Sequence, residues 1–200
     1  MFIQVIEGRT NNCDALDERL DIWERDLMPG AIGYLGSTGG CASSGDFILV
    51  ARFESRDAAK RNSDRPEQSA WWAETERIFE GPVRFHESDD VQLMTHGELD
   101  EAHFVQVMEG HCADRERLVA LEQEADPVLA RLRPELLGSM TVYFPDDEFT
   151  EVAYFTSEEE ARRGERAEIP PEIASTFEEW QRLMKVERYI DIPDPRLTSA

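Results

Sequence analysis

Two hundred residues, 40% of them apolar, suffice for one large core or two small domains, which excludes a chain that stays disordered. The 43 acidic residues against 21 basic ones give a net charge of −22; binding to nucleic acid or to an anionic membrane begins with Lys and Arg neutralising negative charge, so neither is expected as a partner. Met1 leads directly into a strand-like segment with no basic leader, and no apolar stretch of about 20 residues is present to span a bilayer, so the expectation is a cytoplasmic protein.

In chain order, residues 2–7 are rich in β-branched or aromatic side chains and predict a strand that Gly8 ends. Leu16, Leu20, Trp23 and Leu27 recur at helical spacing, with Asn12 as a candidate cap and "MPG" at 28–30 as the stop. A Gly-rich strand over 33–42, the "SSGD" turn and a strand over 47–53 predict a hairpin. Helical segments follow from Ser55, interrupted at Pro66, and a strand over 82–88 closes the set.

The same order then returns. "FIQVIEG" at 2–8 is answered by "FVQVMEG" at 104–110, "LGS" at 35–37 by "LGS" at 137–139, and "VARFES" at 50–55 by "VAYFTS" at 152–157, all at an offset of 102. A period this long marks duplicated domains, since solenoid units run about 20–50 residues. In the second copy Leu118, Leu121, Ala125 and Leu129 predict the first helix, which Pro127 is expected to kink or divide. Ser157 and Glu160 form a capping box, and Ile173, Phe177, Trp180 and Met184 carry the last helix before a strand at 186–192.

Each copy therefore reads βαββαβ, a ferredoxin-like α+β arrangement in which two helices cover one face of a four-stranded antiparallel sheet. Residues 1–92 are assigned to repeat 1, 93–102 to an acidic linker and 103–200 to repeat 2. On the strand at 47–53, Phe47, Leu49, Ala51 and Phe53 alternate with Ile48, Val50 and Arg52, so both faces call for cover. Helices supply one side, and the expectation is that the sheet of the other repeat supplies the second, as an intramolecular pseudo-dimeric barrel. Cys13, Cys41 and Cys112 build neither a redox pair nor a zinc half-site and are expected as reduced thiols packing as small hydrophobes.

With this order, and with "ARFESRDAAKRNSDRPEQSAWWAETE" at 51–76, the chain resembles the dimeric α/β-barrel superfamily, in particular antibiotic-biosynthesis-monooxygenase-like (ABM-like) proteins in tandem form. The superfamily holds cofactor-independent oxygenases, haem-binding enzymes, isomerases and proteins without known activity, so the resemblance implies a fold more than a reaction. The haem-degrading branch places Asn on the first strand and His after the Trp-bearing helix; here Gln4 stands on the strand and that helix has no His. Neither haem nor another cofactor is expected. His96, His103 and His111 lack ligand spacing, so no metal is expected either.

The "SAWW" segment places Trp71 and Trp72 about 100° apart on a helix, so one is expected to pack and the other to line a pocket, an interface or solvent. Between helices and sheet of repeat 1, Gln4, Arg52, Asn62, Trp71 and Trp72 are the expected ligand-binding residues; no catalytic residue is assigned. Repeat 2 offers Gln106, Tyr154 and Trp180 instead, with Trp180 expected in the core, so a working pocket is expected in repeat 1 alone. Two functions are carried forward. One is a non-catalytic or small-ligand-binding ABM-like protein, monomeric or weakly dimeric, with a planar ligand; the other is a cofactor-independent monooxygenase acting on a planar aromatic or polyketide-like substrate.

Overall fold

The computed structural model describes residues 1–199. The first copy runs β1 (Phe2–Arg9), α1 (Cys13–Ile22), β2 (Tyr34–Cys41), β3 (Asp46–Phe53), α2 (Arg56–Ser63), α3 (Pro66–Thr75) and β4 (Arg84–Ser88). After β5 (Val91–Thr95) the second copy runs β6 (Phe104–Cys112), α4 (Arg115–Leu132), β7 (Leu136–Tyr143), β8 (Glu148–Phe155), α5 (Glu158–Glu165), α6 (Ala174–Leu183) and β9 (Met184–Pro193), and β10 (Arg196–Ser199) follows.

Local chemistry sets these boundaries. Asn12 accepts from the Ala15 amide at 3.2 Å and Ser55 from the Ala58 amide at 3.1 Å, each satisfying a donor that a helix start leaves orphaned. Ser157 does the same for Glu160 at 3.3 Å. Beyond α1 the helix continues through a π-helical turn, Trp23–Leu27, which ends in a 3-10 turn at Met28–Gly30. Pro127 does not divide α4, which is one continuous helix of 18 residues. The proline removes a hydrogen bond to residue 123, and Gln123 is exposed, so water can satisfy that carbonyl.

Two compact units result, one of Met1–Asp89 with the residues from Pro195 onward, the other of Asp90–Asp194. Unit 1 holds an antiparallel sheet in the order β10-β2-β3-β1-β4, and unit 2 one in the order β5-β7-β8-β6-β9. Four adjacent strands of each, β2-β3-β1-β4 and β7-β8-β6-β9, are the ferredoxin-like set, with β10 or β5 added at one edge, so the α+β, two-repeat reading holds. The segments between and after the repeats differ from expectation. Val91–Thr95, at the start of the expected linker region, pairs with β7, and Arg196–Ser199, placed by sequence in repeat 2, pairs with β2 of unit 1.

In unit 1 the pleat sends Phe2, Phe47, Ala51 and Phe53 toward the helices, and Ile3, Val5, Ile48 and Val50 to the opposite face; all are buried. Both faces of this sheet are therefore withdrawn from water. Cys13 and Cys41 are joined in a disulfide with Cα atoms 6.0 Å apart, and Cys112 is free and buried. The expectation of three thiols fails because the start of α1 and the end of β2, 28 residues apart, meet in space. His86, His96 and His111 each sit by a separate carboxylate, at 3.6 Å from Glu7, 2.6 Å from Asp126 and 3.6 Å from Glu187. Among the described residues no helix is long and apolar enough to cross a membrane.

Candidate functional site

Unit 1 encloses a cavity of about 420 Å³ between its helices and its sheet. The inward positions of β1, β2 and β3 supply Gln4, Ser37, Leu49 and Ala51; α1 supplies Leu16 and Leu20 from its apolar face. Aromatic rings form much of the wall: Trp23 from the π-helical turn, Tyr34, Phe47 and Phe53 from the sheet, Trp71 and Trp72 from α3, and Phe85 from β4.

Trp71 and Trp72 both line this space, although they point to different faces of α3. Trp71 is buried and donates from Nε1 to the Arg19 carbonyl at 2.8 Å. Trp72 is half-buried and meets the exposed Phe85 edge-on, ring centroids 5.2 Å apart, at the cavity's rim. Trp71 belongs to the buried core cluster and Trp72 packs against it from the half-buried side, and both border the cavity. Trp23 is tied in the same way, its Nε1 donating to Gln68 Oε1 at 2.8 Å.

Asn62 is 3% exposed and lines the cavity. Its Oδ1 accepts from the Ile32 amide at 3.2 Å and from Arg65 Nη1 at 2.9 Å. These two donors fix which end of the amide is oxygen, and they leave Nδ2 as a donor with no partner among the described residues. Gln4 also lines the cavity, with its Nε2 donating to Glu87 Oε1 at 2.7 Å. Arg52 does not join this group. The pleat turns it to the other face of β3, where it donates to Thr38 Oγ1 at 3.1 Å and to the Thr198 carbonyl at 3.2 Å.

Three ionisable groups line the cavity: Glu24, Tyr34 and Arg196. Arg196 donates to Glu24 at 2.8 Å and to Asp21 at 2.7 Å, so the two charges at the wall compensate. Burial pushes the Tyr34 phenol up from its ordinary value, keeping it protonated and neutral. The cavity thus offers aromatic faces, a free amide donor and no unpaired charge.

Sequence reasoning did not single out Tyr34, Ser37, Gln68 or Arg196. Tyr34 and Ser37 are three residues apart, so simple alternation places them on opposite faces; the bulge between Tyr34 and Gly36 adds the residue that brings them to one face. In unit 2 the corresponding face is different. At the offset of 102, Leu20 and Leu49 are matched by Glu122 and Glu151, while Gln106 is held by Asp191 at 3.0 Å and Glu165 at 3.3 Å. Trp180 is half-buried, packs against the core cluster of Leu118, Tyr143, Phe149 and Met184, stacks on Phe177 at 6.0 Å and hydrogen-bonds Glu122, so it sits at the edge of the core.

No family model matches the chain, and no curated protein matches it in sequence. Solved structures do match in fold. A candidate monooxygenase from Lactobacillus acidophilus superposes with a TM-score of 0.70 at 15% identity, over 99% of this chain and 96% of that one. A second, from Fusobacterium nucleatum, gives 0.73 at 10% identity, over 99% and 94%. The chain has the fold of the ABM-like dimeric α/β-barrel proteins. An anthrone oxidase-like protein shares this ABM-like fold as well, with a TM-score of 0.69 at 8% identity over 99% of this chain and 92% of that one.

Proposed function

We propose that this chain is an ABM-like small-ligand-binding protein, that its site is the cavity of unit 1, and that its ligand is a neutral, planar aromatic molecule bearing a carbonyl oxygen. The observation that carries this is Asn62: a buried amide, locked in orientation by Ile32 and Arg65, whose only free group is a donor at an aromatic-walled cavity. A carbonyl acceptor on the ligand would take this donor in place of water, a net contribution of about 0.5–1.5 kcal/mol. The ring faces of Trp71 and Trp72 take the aromatic plane and Gln4 borders it, whereas Arg52 is left out of the site. A charged ligand would meet no free counter-charge there.

The test removes the donor. Asn62→Asp keeps an oxygen for Ile32 and Arg65 but exchanges the NH₂ for a second oxygen and adds a charge that Arg65 faces, and Asn62→Leu removes the donor without adding charge. Binding of a planar aromatic ketone, followed by quenching of tryptophan fluorescence, should weaken about tenfold, which corresponds to about 1.4 kcal/mol, with the fold retained by circular dichroism. Equal affinity of the wild type and both variants would remove Asn62 from the site.

A second reading, a cofactor-independent monooxygenase acting on a planar aromatic or polyketide-like substrate, draws support from the same amide. A preorganised donor in a water-poor cavity would also stabilise the oxygen of a substrate enolate. It ranks behind binding because Glu24 is tied to Arg196 and no free base faces the cavity among the described residues. Oxygen uptake on adding an anthrone would favour this reading; binding of the anthrone without uptake would favour the first.

A further inference from the structure

At one end of the cavity Tyr34 and Ser37 meet a third hydroxyl that comes from far along the chain. β10 pairs antiparallel with β2, setting Thr198 opposite Ser37 and Ser199 opposite Gly36. Gly36, at φ 139°, is what admits it: a Cβ there would collide with the Thr198 carbonyl and the Arg52 guanidinium. Arg52 in turn holds that carbonyl at 3.2 Å, and Arg196 anchors the strand to Glu24 and Asp21.

The three hydroxyls close a ring. Tyr34 Oη donates to Ser37 Oγ at 2.8 Å; Thr198 Oγ1 stands 2.6 Å from Tyr34 Oη and 2.9 Å from Ser37 Oγ. Three hydroxyl hydrogens serve three edges, so Tyr34 donates to Ser37, Ser37 to Thr198 and Thr198 to Tyr34, and none is left over. Thr198 Oγ1 also accepts the Ser37 amide at 3.0 Å, which fills its acceptor capacity. Tyr34 and Ser37 each keep one acceptor site, and these are the two ring members that line the cavity. A closed cycle of hydroxyls polarises its members and strengthens them as acceptors.

We propose that Thr198, delivered by β10, fixes this end of the cavity as acceptor-only and so selects ligands that present an O–H or N–H there. Resting on the reading of the cavity as a ligand site, the proposal narrows the ligand to a neutral aromatic that carries a hydrogen-bond donor as well as the carbonyl taken by Asn62. The phenol of Tyr34 stays neutral in this arrangement, because burial raises its pKa.

Thr198 is thereby a specificity-determining residue, and a ratio of affinities within one protein tests it without interference from changes in stability. The probes are 6-acetyl-2-naphthol and its methyl ether, which differ in the O–H alone as a donor. The wild-type chain should bind the naphthol roughly tenfold more tightly than the ether. Thr198→Ser, which keeps the ring, should preserve the preference. Thr198→Val frees the Ser37 hydrogen to point into the cavity and should bring the ratio close to one. A ratio near one in the wild type, or an unchanged ratio in Thr198→Val, would overturn the role of the hydroxyl ring. The underlying reading has its own signature: if Asn62→Asp leaves both probes unaffected, or if neither probe binds the wild type, the cavity is not their site and the inference falls with it.

Discussion

Glu151 shows how much one side chain can decide. It lies on β8 at the position matching Leu49, buried, with its Oε2 lacking any hydrogen-bond partner among the described residues. Burial pushes its carboxyl up to about 8, the charge of Glu122 adds to this, and a hydrogen bond with Ser139 opposes it. Glu122 on α4 is itself raised by burial, with Trp180 and Gln92 as opposing donors; Tyr143 on β7 and Tyr189 on β9 feel the Glu151 charge, and Arg115 sits over the Tyr143 ring at 4.6 Å. The native state thus holds a proton that the unfolded chain, with its carboxyl near 4.5, releases earlier. Between about pH 4.5 and 8 the native state binds more protons, so stability falls as pH rises, by up to about 1.4 kcal/mol per pH unit for this group. Glu151→Gln should flatten that fall and melt higher than the wild type at pH 8.5; a variant with the wild-type slope would assign the dependence to other groups. None of this was legible in the sequence, where a single Glu in an alternating strand reads as outward-facing. The pairing of Asn62 with Ile32 and Arg65 was hidden too, since its partners come from a loop and from the residue before α3.

At the scale of elements, the strands and helices with a clear period were legible, and their caps at Asn12, Ser55 and Ser157 stand where the sequence predicts them. β5 and β10 were not. "VQLMT" and "RLTS" are short and have no period of their own, and their partners β7 and β2 lie far away in sequence. Only long-range pairing makes them strands, and β10 is the one that brings Thr198 and Arg196 to the site. Removing the residues from Pro195 onward should therefore unpair the edge of β2, open the hydroxyl ring and release the Arg196 ion pairs. A loss of roughly 2–4 kcal/mol is expected from four ladder residues and these side chains, at about 0.5–1.5 kcal/mol per net hydrogen bond. Hydrogen exchange reads it out by element: amides of β2 should lose protection while those of β7 and β8 keep theirs. Retained protection in β2 would mean that β10 adds little to the sheet and that its contribution to the cavity is dispensable.

For the molecule as a whole, duplication was the most legible feature, because a constant offset of 102 ties strand to strand and loop to loop. The two copies then diverge where the cavity lies: unit 1 has Leu20 and Leu49 around a space free of unpaired charge, and unit 2 has Glu122 and Glu151. The excess of acid extends over the whole chain. With 43 acidic residues and 21 basic ones, even complete pairing leaves 22 negative charges uncompensated. The pairs that do form are mostly exposed, such as Arg61 with Asp57 at 3.4 Å and Arg163 with Glu159 at 3.0 Å, and exposed pairs contribute about 0–1 kcal/mol each. Repulsion among the unpaired acids acts over longer distances and is larger in sum, so screening should relieve more strain than it removes attraction. Raising sodium chloride from about 0.01 M to about 1 M shortens the Debye length from about 30 Å to about 3 Å. The melting temperature at pH 7 should rise by several degrees over that range, and potassium chloride should act alike, since screening depends on ionic strength rather than on the cation. A melting temperature that falls with added salt would mean that the ion pairs outweigh the repulsion, and the pairs of half-buried Arg196 with Glu24 and Asp21 at the cavity wall would then be the first place to look.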